Sequence, residues 1–440
     1  MPKPHPFQLT RARSAIVRYS VASVFATGLA IGLVSCERGS GQPNVLLVTV
    51  DTLRADHTHF GGYERPTTPE LDALARAGVV FPVSYSQSGW TLPSVATILT
   101  GHYPKDHGAT DFWLPLASGL PTLAEKLADH GYATRAIVSH IILDPEGGLG
   151  RGFDEYDVSV LSLGNPHEVS TSREATDLAL AALREVREPW FLWIHYFDPH
   201  FEYRPRPGFS IFGPAETDRY DQEIAFTDFQ IGRLLEGIGE DAIVVFTSDH
   251  GEEFGEHGGL FHYTLHSEVM RTPLVIRAPS LEPGMNPTPA EQIDLMPTLL
   301  GLLGIEADPA LPGRNLFDAA TVDGPIFMER DRPPPWRQRG IRIGSKSLWV
   351  IEELDPEHEN ASVHPGTARR VENVKPGIYL FDDSVQPGER LNLYFEGDPT
   401  GKDLLSRLNE HFEAARPAPP ARVDLDKDLS EKLRSLGYVE

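Results

Sequence analysis

The strongest constraint on the fold is the stretch Ala242–His262, AIVVFTSDHGEEFGEHGGLFH. Its first part, Ile243–Phe246, is a continuous β-branched and aromatic run, which predicts a strand buried on both faces, as in a parallel sheet. The strand leads to Asp249 and His250, and open α/β sheets bind ligands at the carboxyl ends of parallel strands. One carboxylate and one imidazole at such an edge suit Zn²⁺ or Mn²⁺ better than Mg²⁺ or Ca²⁺. The alternative is a solvated acidic turn.

A second buried strand delivers a second carboxylate. Asn44–Val50, NVLLVTV, is another continuous apolar run, and Asp51 follows it directly. Asp51 and Asp249 would then lie at the same edge of one sheet, where two carboxylates repel each other unless a cation lies between them. The glycine-rich loop after Asp249 predicts a tight fold that carries His257 and His262 back toward this edge. Taken alone, Asp51 could instead cap a turn.

Size and charge limit the partners that this chain can have. With 440 residues and 40% hydrophobic content, the chain can bury the core of one large domain and a smaller one. The formal net charge of −24 argues against a nucleic-acid partner and against an acidic membrane surface. An acidic protein that handles an anionic substrate must supply positive charge locally, and a metal ion does this well.

Residues 1–35 have the pattern of a secretory signal peptide. A basic region without acids precedes Val21–Val34, an apolar stretch too short to span a bilayer comfortably. The sequence Leu33-Val34-Ser35-Cys36 resembles the lipobox of bacterial lipoproteins, in which the cysteine is acylated and becomes the new N-terminus. We therefore predict an exported lipoprotein of the bacterial cell envelope, with a tether over residues 36–43. The alternative is a plain secretory signal with an incidental cysteine.

The segment Ser88–Gly108 predicts a helix with a threonine at its amino end. Pro93 can open a helix that runs through Leu99, which leaves Thr91 at the helix start. Thr91 could simply be the N-cap, the common role of threonine in this position. Alternatively, its hydroxyl lies against the positive helix end and a metal ion, which both lower the cost of ionising it and would make it a nucleophile.

Along the whole chain, strands alternate with helices, which predicts a doubly wound α/β sandwich with helices on both faces and, near the C-terminus, a small antiparallel sheet. We expect a catalytic domain over residues 44–310 and a C-terminal α+β subdomain over residues 311–440. The predicted segments are strands at Ala133–Val138, Trp190–Tyr196, Thr272–Ile276, Ile326–Glu329, Arg339–Glu353 and Gly377–Asp383, and helices at Thr67–Gly78, Leu120–His130, Ser170–Val186, Tyr220–Leu235 and Leu404–Ala414.

Two histidines near the end of the strand Trp190–Tyr196 have different expected roles. His195 lies within the strand, so we expect a core histidine that is hydrogen-bonded in the sheet. His200 lies beyond the strand end, after Pro199, and is the better candidate for acid–base chemistry or for contact with an oxyanion.

The order of these segments resembles the sulfatase branch of the alkaline phosphatase superfamily over roughly residues 43–305. The matching pieces are PNVLLVTVDTLRADH, TTPELDALARAGVVF, TLPSVATILTGHYP, FLWIHYFDPHFEY, TSDHGEEFGEHGG, RTPLVIRAP and DLMPTLLGLLGI. The resemblance implies an alkaline phosphatase-like fold. It also implies that Asp51, Asp249 and His250 are metal ligands, that Thr91 is a nucleophile beside the metal, and that His200 and His262 face the substrate.

The departures from the sulfatase pattern concern the chemistry. Sulfatases carry Cys or Ser followed by x-Pro-Ser-Arg and oxidise the first residue to formylglycine, whereas this chain has Thr91 and Val95 at the first and last of these positions. We therefore expect no formylglycine. His262 stands where sulfatases often carry Lys, Thr52 where they carry a second Asp, and His250 where they carry Asn. These differences resemble the phosphodiesterases and the phosphoethanolamine or phosphoglycerol transferases of the superfamily.

The expected activity is therefore metal-dependent hydrolysis of a phosphorus ester, or transfer of a phospho-head group if an alcohol replaces water. We expect a small-molecule or head-group ester as the substrate, contact with the membrane through the lipid anchor only, and no nucleic acid. Two alternatives are a sulfate-ester hydrolase that uses unmodified Thr91 and a non-catalytic lipoprotein that binds a glycan or a lipid head group.

Overall fold

The computed structural model describes residues 41–112, 114–164, 169–206, 208–209, 212–318, 324–331, 336–353, 375–414, 431 and 433. The predicted signal peptide, Cys36 and most of the predicted tether lie outside these residues. The described residues from Gln42 onward form one compact unit.

Sixteen strands occur in the described residues. In chain order they are β1 Val45–Val50, β2 Val79–Phe81, β3 Ser84–Tyr85, β4 Ala133–Val138, β5 Glu155–Asp157, β6 Trp190–Tyr196, β7 Ile243–Ser248, β8 Glu253–Phe254, β9 Leu260–Phe261, β10 Leu274–Arg277, β11 Gly284–Met285, β12 Ala290–Glu291, β13 Ile326–Arg330, β14 Trp336–Ile343, β15 Lys346–Glu353 and β16 Gly377–Asp382.

The α-helices of the same residues are α1 Pro69–Ala77, α2 Thr91–Thr100, α3 Pro104–His107, α4 Leu123–Asp129, α5 Ser172–Glu185, α6 Glu216–Ile238, α7 Ser267–Met270, α8 Leu295–Leu302 and α9 Pro399–Glu413. Short 3₁₀ turns lie at Ala55–His57, Pro145–Gly147, Ser159–Leu163 and Gln292–Asp294. No described helix combines the length and the apolar character needed to cross a membrane.

The central sheet has eight strands in the order β11-β2-β10-β7-β1-β6-β4-β5. β1 lies between β6 and β7 and is parallel to both, and Val50 is in register with Ser248 on one side and Tyr196 on the other. All residues of these three strands are buried, as their unbroken apolar runs predicted. The register places Asp51 and Asp249 side by side at one sheet edge.

Helices cover both faces of this sheet, which confirms the predicted α/β architecture. Successive residues of β1 point to opposite faces, so Leu46 and Leu47 belong to two different apolar cores. Side chains of α2, α4 and α8 pack in the core around Leu47. Side chains of α1, α5 and α6 pack in the core around Leu46.

The sheet is mixed rather than parallel throughout. β10 runs antiparallel to both β7 and β2. It spans Leu274–Arg277, slightly later than the predicted Thr272–Ile276. The chain leaves β7 through the loop that holds β8 and β9 and returns through the single turn α7, without a long crossover helix. A strand that starts at the sheet edge where its neighbour ends must run in the opposite direction.

The predicted C-terminal sheet is present as the four-stranded antiparallel sheet β13-β14-β15-β16. The predicted single strand Arg339–Glu353 is instead the hairpin of β14 and β15, which turns at Gly344 with a positive φ of 59°. One face of this sheet packs on α9 through Ile341 and Leu408. The other face packs through Trp349 on the segment around α7.

Candidate active site

Two buried carboxylates lie at the edge of the central sheet, each directly after a parallel strand. Asp51 and Asp249 have no exposed surface. Asp249 Oδ1 accepts hydrogen bonds from the backbone amides of Thr52 at 3.1 Å and His250 at 2.8 Å. In contrast, Asp249 Oδ2 and Asp51 Oδ1 are buried and accept no hydrogen bond from the described part of the chain. A free buried carboxylate oxygen requires a partner, and two of them together require a cation.

His250 supplies a nitrogen to the same place. Its Nδ1 lies 2.9 Å from the carbonyl oxygen of Gly251 and must donate to it, since a carbonyl only accepts. The lone pair is therefore on Nε2, which lies 3.5 Å from Asp249 Oδ2. Burial lowers the pKa of His250 to about 3, so the ring is neutral near pH 7, the form that binds metals.

These three residues fit a divalent metal ion. One ligand atom each from Asp51, Asp249 and His250 can be chosen so that all lie within 4.8 Å of one another. Burial, and then the charges of Asp249 and Glu252, raise the pKa of Asp51 well above its usual range. Burial also raises the pKa of Asp249. The site therefore disfavours its own negative charges unless a cation compensates them, and the mixed oxygen and nitrogen donors match transition-metal chemistry.

Thr91 lies beside this group at the start of α2. Trp90 occupies the N-cap position and Thr91 is the first helical residue, so Thr91 is not the N-cap. Its Oγ1 lies 3.3 Å from Nε2 of His250. Every residue of α2 is buried, and Val95, which stands where the sulfatase pattern has Arg, packs in the apolar core. The helix thus presents Thr91 to the carboxylates and offers no cation of its own.

His262 and His200 complete one side of the cluster. The ring centre of His262 lies 4.6 Å from that of His250 and 5.5 Å from that of His200. His262 Nδ1 lies 3.0 Å from Oε1 of Glu252, and Tyr203 donates its hydroxyl proton to the other oxygen of Glu252 at 2.9 Å. This arrangement fixes the ring of His262 and leaves Nε2 as its reactive atom.

Two further histidines contact Asp51. Nε2 of His195 and Nε2 of His140 each lie 3.4 Å from Asp51 Oδ2. His195 Nδ1 also lies 2.8 Å from Thr49 Oγ1, so this residue is the expected hydrogen-bonded sheet histidine and a neighbour of the site at once. His140 was not predicted to be a site residue, although its place just after the correctly predicted strand β4 was a usable signal.

Arg330 was also not predicted to be a site residue. It supplies local positive charge, which an acidic protein needs in order to handle an anionic substrate. It is the last residue of β13 in the C-terminal sheet, is buried, and donates from Nη1 to the carbonyl of Gly89. Burial is the main cause of the lowered pKa values of His250 and His262, and the charge of Arg330 adds to both shifts. No sequence pattern links residue 330 to the site.

His257 does not lie where it was predicted. We expected the loop after Asp249 to carry it back to the metal with His262, but its ring stacks on His266 and its Nε2 lies 3.3 Å from Glu268. The loop that contains Gly255 and Gly258, both with positive φ, places His257 against His266 and Glu268 instead.

The family of the chain follows from a direct comparison with known families. The sulfatase family profile matches residues 43–305, which hold all the site residues named above except Arg330. The chain belongs to the sulfatase family. It is therefore a hydrolase of the alkaline phosphatase superfamily, whose sulfatase-like enzymes depend on a metal ion.

Individual relatives of this sulfatase-family chain include enzymes named for different ester substrates. Choline-sulfatase of Rhizobium meliloti is 24% identical and aligns with 72% of this chain and 80% of its own length. Arylsulfatase A of Homo sapiens is 26% identical over 85% of this chain and 86% of its own. The phosphonate monoester hydrolase of Agrobacterium radiobacter superposes with a TM-score of 0.69 at 20% identity and covers 84% of this chain and 96% of its own, which shows the shared fold.

Proposed function

We propose that this sulfatase-family chain is a metal-dependent hydrolase of phosphorus esters that uses Thr91 as a covalent nucleophile. The observation that carries the proposal is the position of Thr91 Oγ1, 3.3 Å from Nε2 of His250 and beside the free oxygens of Asp51 and Asp249. Thr91 cannot become formylglycine, because that conversion starts from Cys or Ser. The hydroxyl itself must therefore react, or the site is not catalytic.

The proposed reaction has two balanced steps on the residues of the chain. The Thr91 hydroxyl loses its proton to solvent, and Oγ1 attacks phosphorus as the bond from phosphorus to the leaving oxygen breaks. His262, whose lowered pKa leaves Nε2 unprotonated before the reaction, takes up a solvent proton at Nε2 and passes it to that oxygen, while Glu252 holds Nδ1. Water then attacks phosphorus, the bond to Thr91 Oγ1 breaks, and one proton of that water returns to Thr91. An alcohol in place of water would make the same site a transferase.

Several groups would stabilise the negative charge of the transition state. A divalent ion held by Asp51, Asp249 and His250, with Zn²⁺ or Mn²⁺ favoured over Ca²⁺, would lower the cost of ionising Thr91 and attract the ester oxygens. The amino end of α2 adds a positive partial charge. Arg330 adds a full charge, which would attract the anionic ester already in the ground state. His200 stands beside His262, where it would contact an ester oxygen.

Relatives of this chain are named for phosphorus esters and for sulfate esters, so the fold alone does not separate the two substrate classes. Thr91 as the nucleophile favours phosphorus esters. The phosphonate monoester hydrolase of Agrobacterium radiobacter shares the fold, whereas choline-sulfatase is a sequence relative named for a sulfate ester. The loss of the oxidisable residue and of the sulfatase Arg removes two features of sulfatase chemistry. A dianion-like phosphoryl transition state gains more from a metal ion and a helix end than a sulfuryl group does.

We further propose that the enzyme is an exported lipoprotein, acylated at Cys36, that meets small-molecule or head-group esters in the cell envelope. The sequence Leu33-Val34-Ser35-Cys36 supports the anchor, and the net charge of −24 argues against nucleic acid as a partner.

The experiment is a pair of substitutions with a matched control in the same helix. Thr91→Ala should lower kcat by about 10⁴–10⁶, as losses of covalent nucleophiles do, and Thr91→Ser should keep part of the activity. The control is Thr97→Ala, because Thr97 Oγ1 makes a similar contact, 3.2 Å to Nε2 of His107, away from the carboxylates. The control should change stability and leave the chemical step nearly intact.

Substrate class is decided by trapping and by a panel of esters. After brief reaction with an activated phosphoester and an acid quench, peptide mass spectrometry across Ser88–Tyr103 should show added phosphate on Thr91. Matched phosphomonoesters, phosphodiesters, phosphonates and sulfate esters should be cleaved in an order that places phosphorus first. Faster cleavage of sulfate esters would support the sulfatase alternative. Full activity of Thr91→Ala would end the proposal, and absence of turnover and of metal would favour a binding protein.

A further inference from the structure

A second cluster of metal-binding residue types lies outside the Asp51 site. We call it the His257 cluster, and its members come from three parts of the fold, namely the loop with β8 and β9, the start of α7, and the turn after β16. The residues are Glu253, His257, His266, Glu268 and Glu389. None of them takes part in the reaction described above.

The two imidazoles of the cluster are stacked face to face. The ring centres of His257 and His266 are 3.4 Å apart, and the planes differ by 5°. One ligand atom each from His257, His266 and Glu253 can be chosen so that all three lie within 4.8 Å of one another. The separation suits one ion, and because imidazole lone pairs lie in the ring plane, one of the two rings must turn out of the stack for both nitrogens to reach it.

Glu253 provides an independent sign that a cation belongs here. Its side chain is buried, with 1% of its surface exposed. Oε2 accepts the hydroxyl proton of Thr264 at 2.9 Å, but the buried Oε1 accepts no hydrogen bond from any described residue. A buried carboxylate oxygen without a partner is costly, and burial accordingly raises the pKa of Glu253. An ion bound by Oε1 would remove this cost.

Glu389 holds His266 in place from the C-terminal sheet. Its own oxygens are already occupied, by Arg342 and Ser347 on Oε1 and by the backbone amide of Ser267 on Oε2. Oε2 also lies 3.5 Å from Nδ1 of His266. Glu389 has a φ of 49°, unusual for a residue with a side chain, so the backbone is constrained to aim this carboxylate inward. Such support is typical of carboxylates that orient a ligating histidine.

We propose that Glu253, His257 and His266 bind a second divalent transition-metal ion of the Zn²⁺ class, separate from the ion at Asp51. Two imidazole nitrogens and one carboxylate oxygen are the ligand set of many zinc sites, with the fourth position open. His257 and His266 also line a cavity of about 550 Å³, together with Glu256 and Trp349, and this cavity supplies the entry path. The ion would tie the loop that carries His262 to the start of α7. This inference does not depend on the proposed function.

The test counts metal ions in the intact protein, using Zn²⁺ alone as the probe. Native mass spectrometry and elemental analysis of the wild-type chain, equilibrated with buffered Zn²⁺, should show two ions per chain. Asp249→Asn should leave one. Addition of His266→Gln in that background should leave none, and the single variant His266→Gln should retain only the ion at Asp51. Co²⁺ in the Asp249→Asn chain should give a visible absorption spectrum that disappears with His266→Gln.

A matched control separates this cluster from an ordinary ion pair. Nδ1 of His59 lies 2.6 Å from Asp72 on the surface, with no second imidazole, so His59→Gln should leave two ions in place. Equal ion counts in the wild-type chain and in His266→Gln would overturn the proposal. If Asp249→Asn fails to fold, the wild-type and His266→Gln counts decide between these outcomes. Loss of the ion at Asp51 with one ion remaining would count against the proposed function and leave this site standing.

Discussion

Thr52 shows how a residue that departs from the sulfatase pattern still serves the carboxylates. It has a φ of 52°, which costs a β-branched residue about 1–3 kcal/mol and persists only where neighbours fix it. Its hydroxyl donates to the carbonyl of Pro199, and its own carbonyl accepts from the hydroxyl of Tyr220 at 2.6 Å. These bonds aim the Thr52 amide at Asp249 Oδ1. Thr52 thus contributes a backbone donor, and Asp249 keeps Oδ2 free for an ion.

Substitution of Arg330 should distinguish an effect on substrate binding from an effect on the chemical step. Arg330→Gln removes a buried positive charge close to His250 and His262 but none of the proposed reacting atoms. We expect KM for an anionic ester to rise about tenfold to a hundredfold, the value of a hydrogen bond to a charged group, with a smaller change in kcat. Steady-state kinetics across an ester series measure both constants.

A control for this substitution comes from the same sheet. The Arg339 guanidinium lies 4.7 Å above the ring of Phe412 in α9, so Arg339→Gln should affect stability more than KM. Equal KM values for wild type and Arg330→Gln would mean that this charge does not contact substrate.

The sequence was sufficient to predict the site residues that lie at strand ends and at a helix start. It was not sufficient for residues that reach the site only through tertiary contacts. Asp51, Asp249 and His250 follow buried strands in register, and Thr91 begins a helix, so local patterns suffice for their placement. Arg330 meets Gly89 across 241 residues of chain, and nothing local encodes that contact. His257 was placed wrongly because glycine content predicts a tight loop without giving its direction.

The start of α1 is held by a carboxylate from another helix. Asp228 of α6 accepts the backbone amides of Glu70 at 3.0 Å and Leu71 at 2.9 Å, which would otherwise lack partners at the helix start. Burial raises the pKa of Asp228 to about 8, although these two hydrogen bonds oppose the shift. The contact therefore ties α1 to α6 and carries a pH dependence.

We predict the sign of that dependence from the raised pKa. The folded chain holds the Asp228 proton more tightly than the unfolded chain, whose carboxyl has the ordinary pKa of about 4. The contribution of this group to stability is thus complete below that value and is lost as pH rises toward about 8. Relative to Asp228→Asn, the wild-type free energy of unfolding should fall across this range, as measured by denaturant unfolding at several pH values. A difference that stays constant with pH would mean that the two amides dominate over burial.

The secondary structure was predicted better than its arrangement. Ala133–Val138 and Trp190–Tyr196 were predicted to the residue, and the predicted helix Thr67–Gly78 is present as α1, Pro69–Ala77. The direction of β10 was not predictable, because an apolar run has the same pattern in either direction. The hairpin of β14 and β15 was not predicted, because the strand pattern continues on both sides of Gly344 and a single glycine is a weak signal for a turn.

The whole chain carries one cysteine, and this fact makes the anchor testable. Cys36→Ala should release the protein from the membrane fraction or block its processing, because acylation needs the thiol. Fractionation and mass spectrometry of the mature N-terminus measure both outcomes. A wild-type N-terminus without lipid, together with unchanged fractionation of Cys36→Ala, would mean that the segment is a plain secretory signal.

The contact between Arg330 and Gly89 also has a consequence for the order in which the molecule is assembled. The residues proposed to bind the first ion end at His250, whereas the arginine reaches them only after the C-terminal sheet has formed and β13 has docked beside Gln87. The carboxylate edge needs only the central sheet, whereas the arginine contact also needs the C-terminal sheet to form and to dock on it, which is a further step. During refolding, the ability to hold metal should therefore return before full turnover, and a chain that stopped at the intermediate would be a metal-loaded protein with little affinity for its ester.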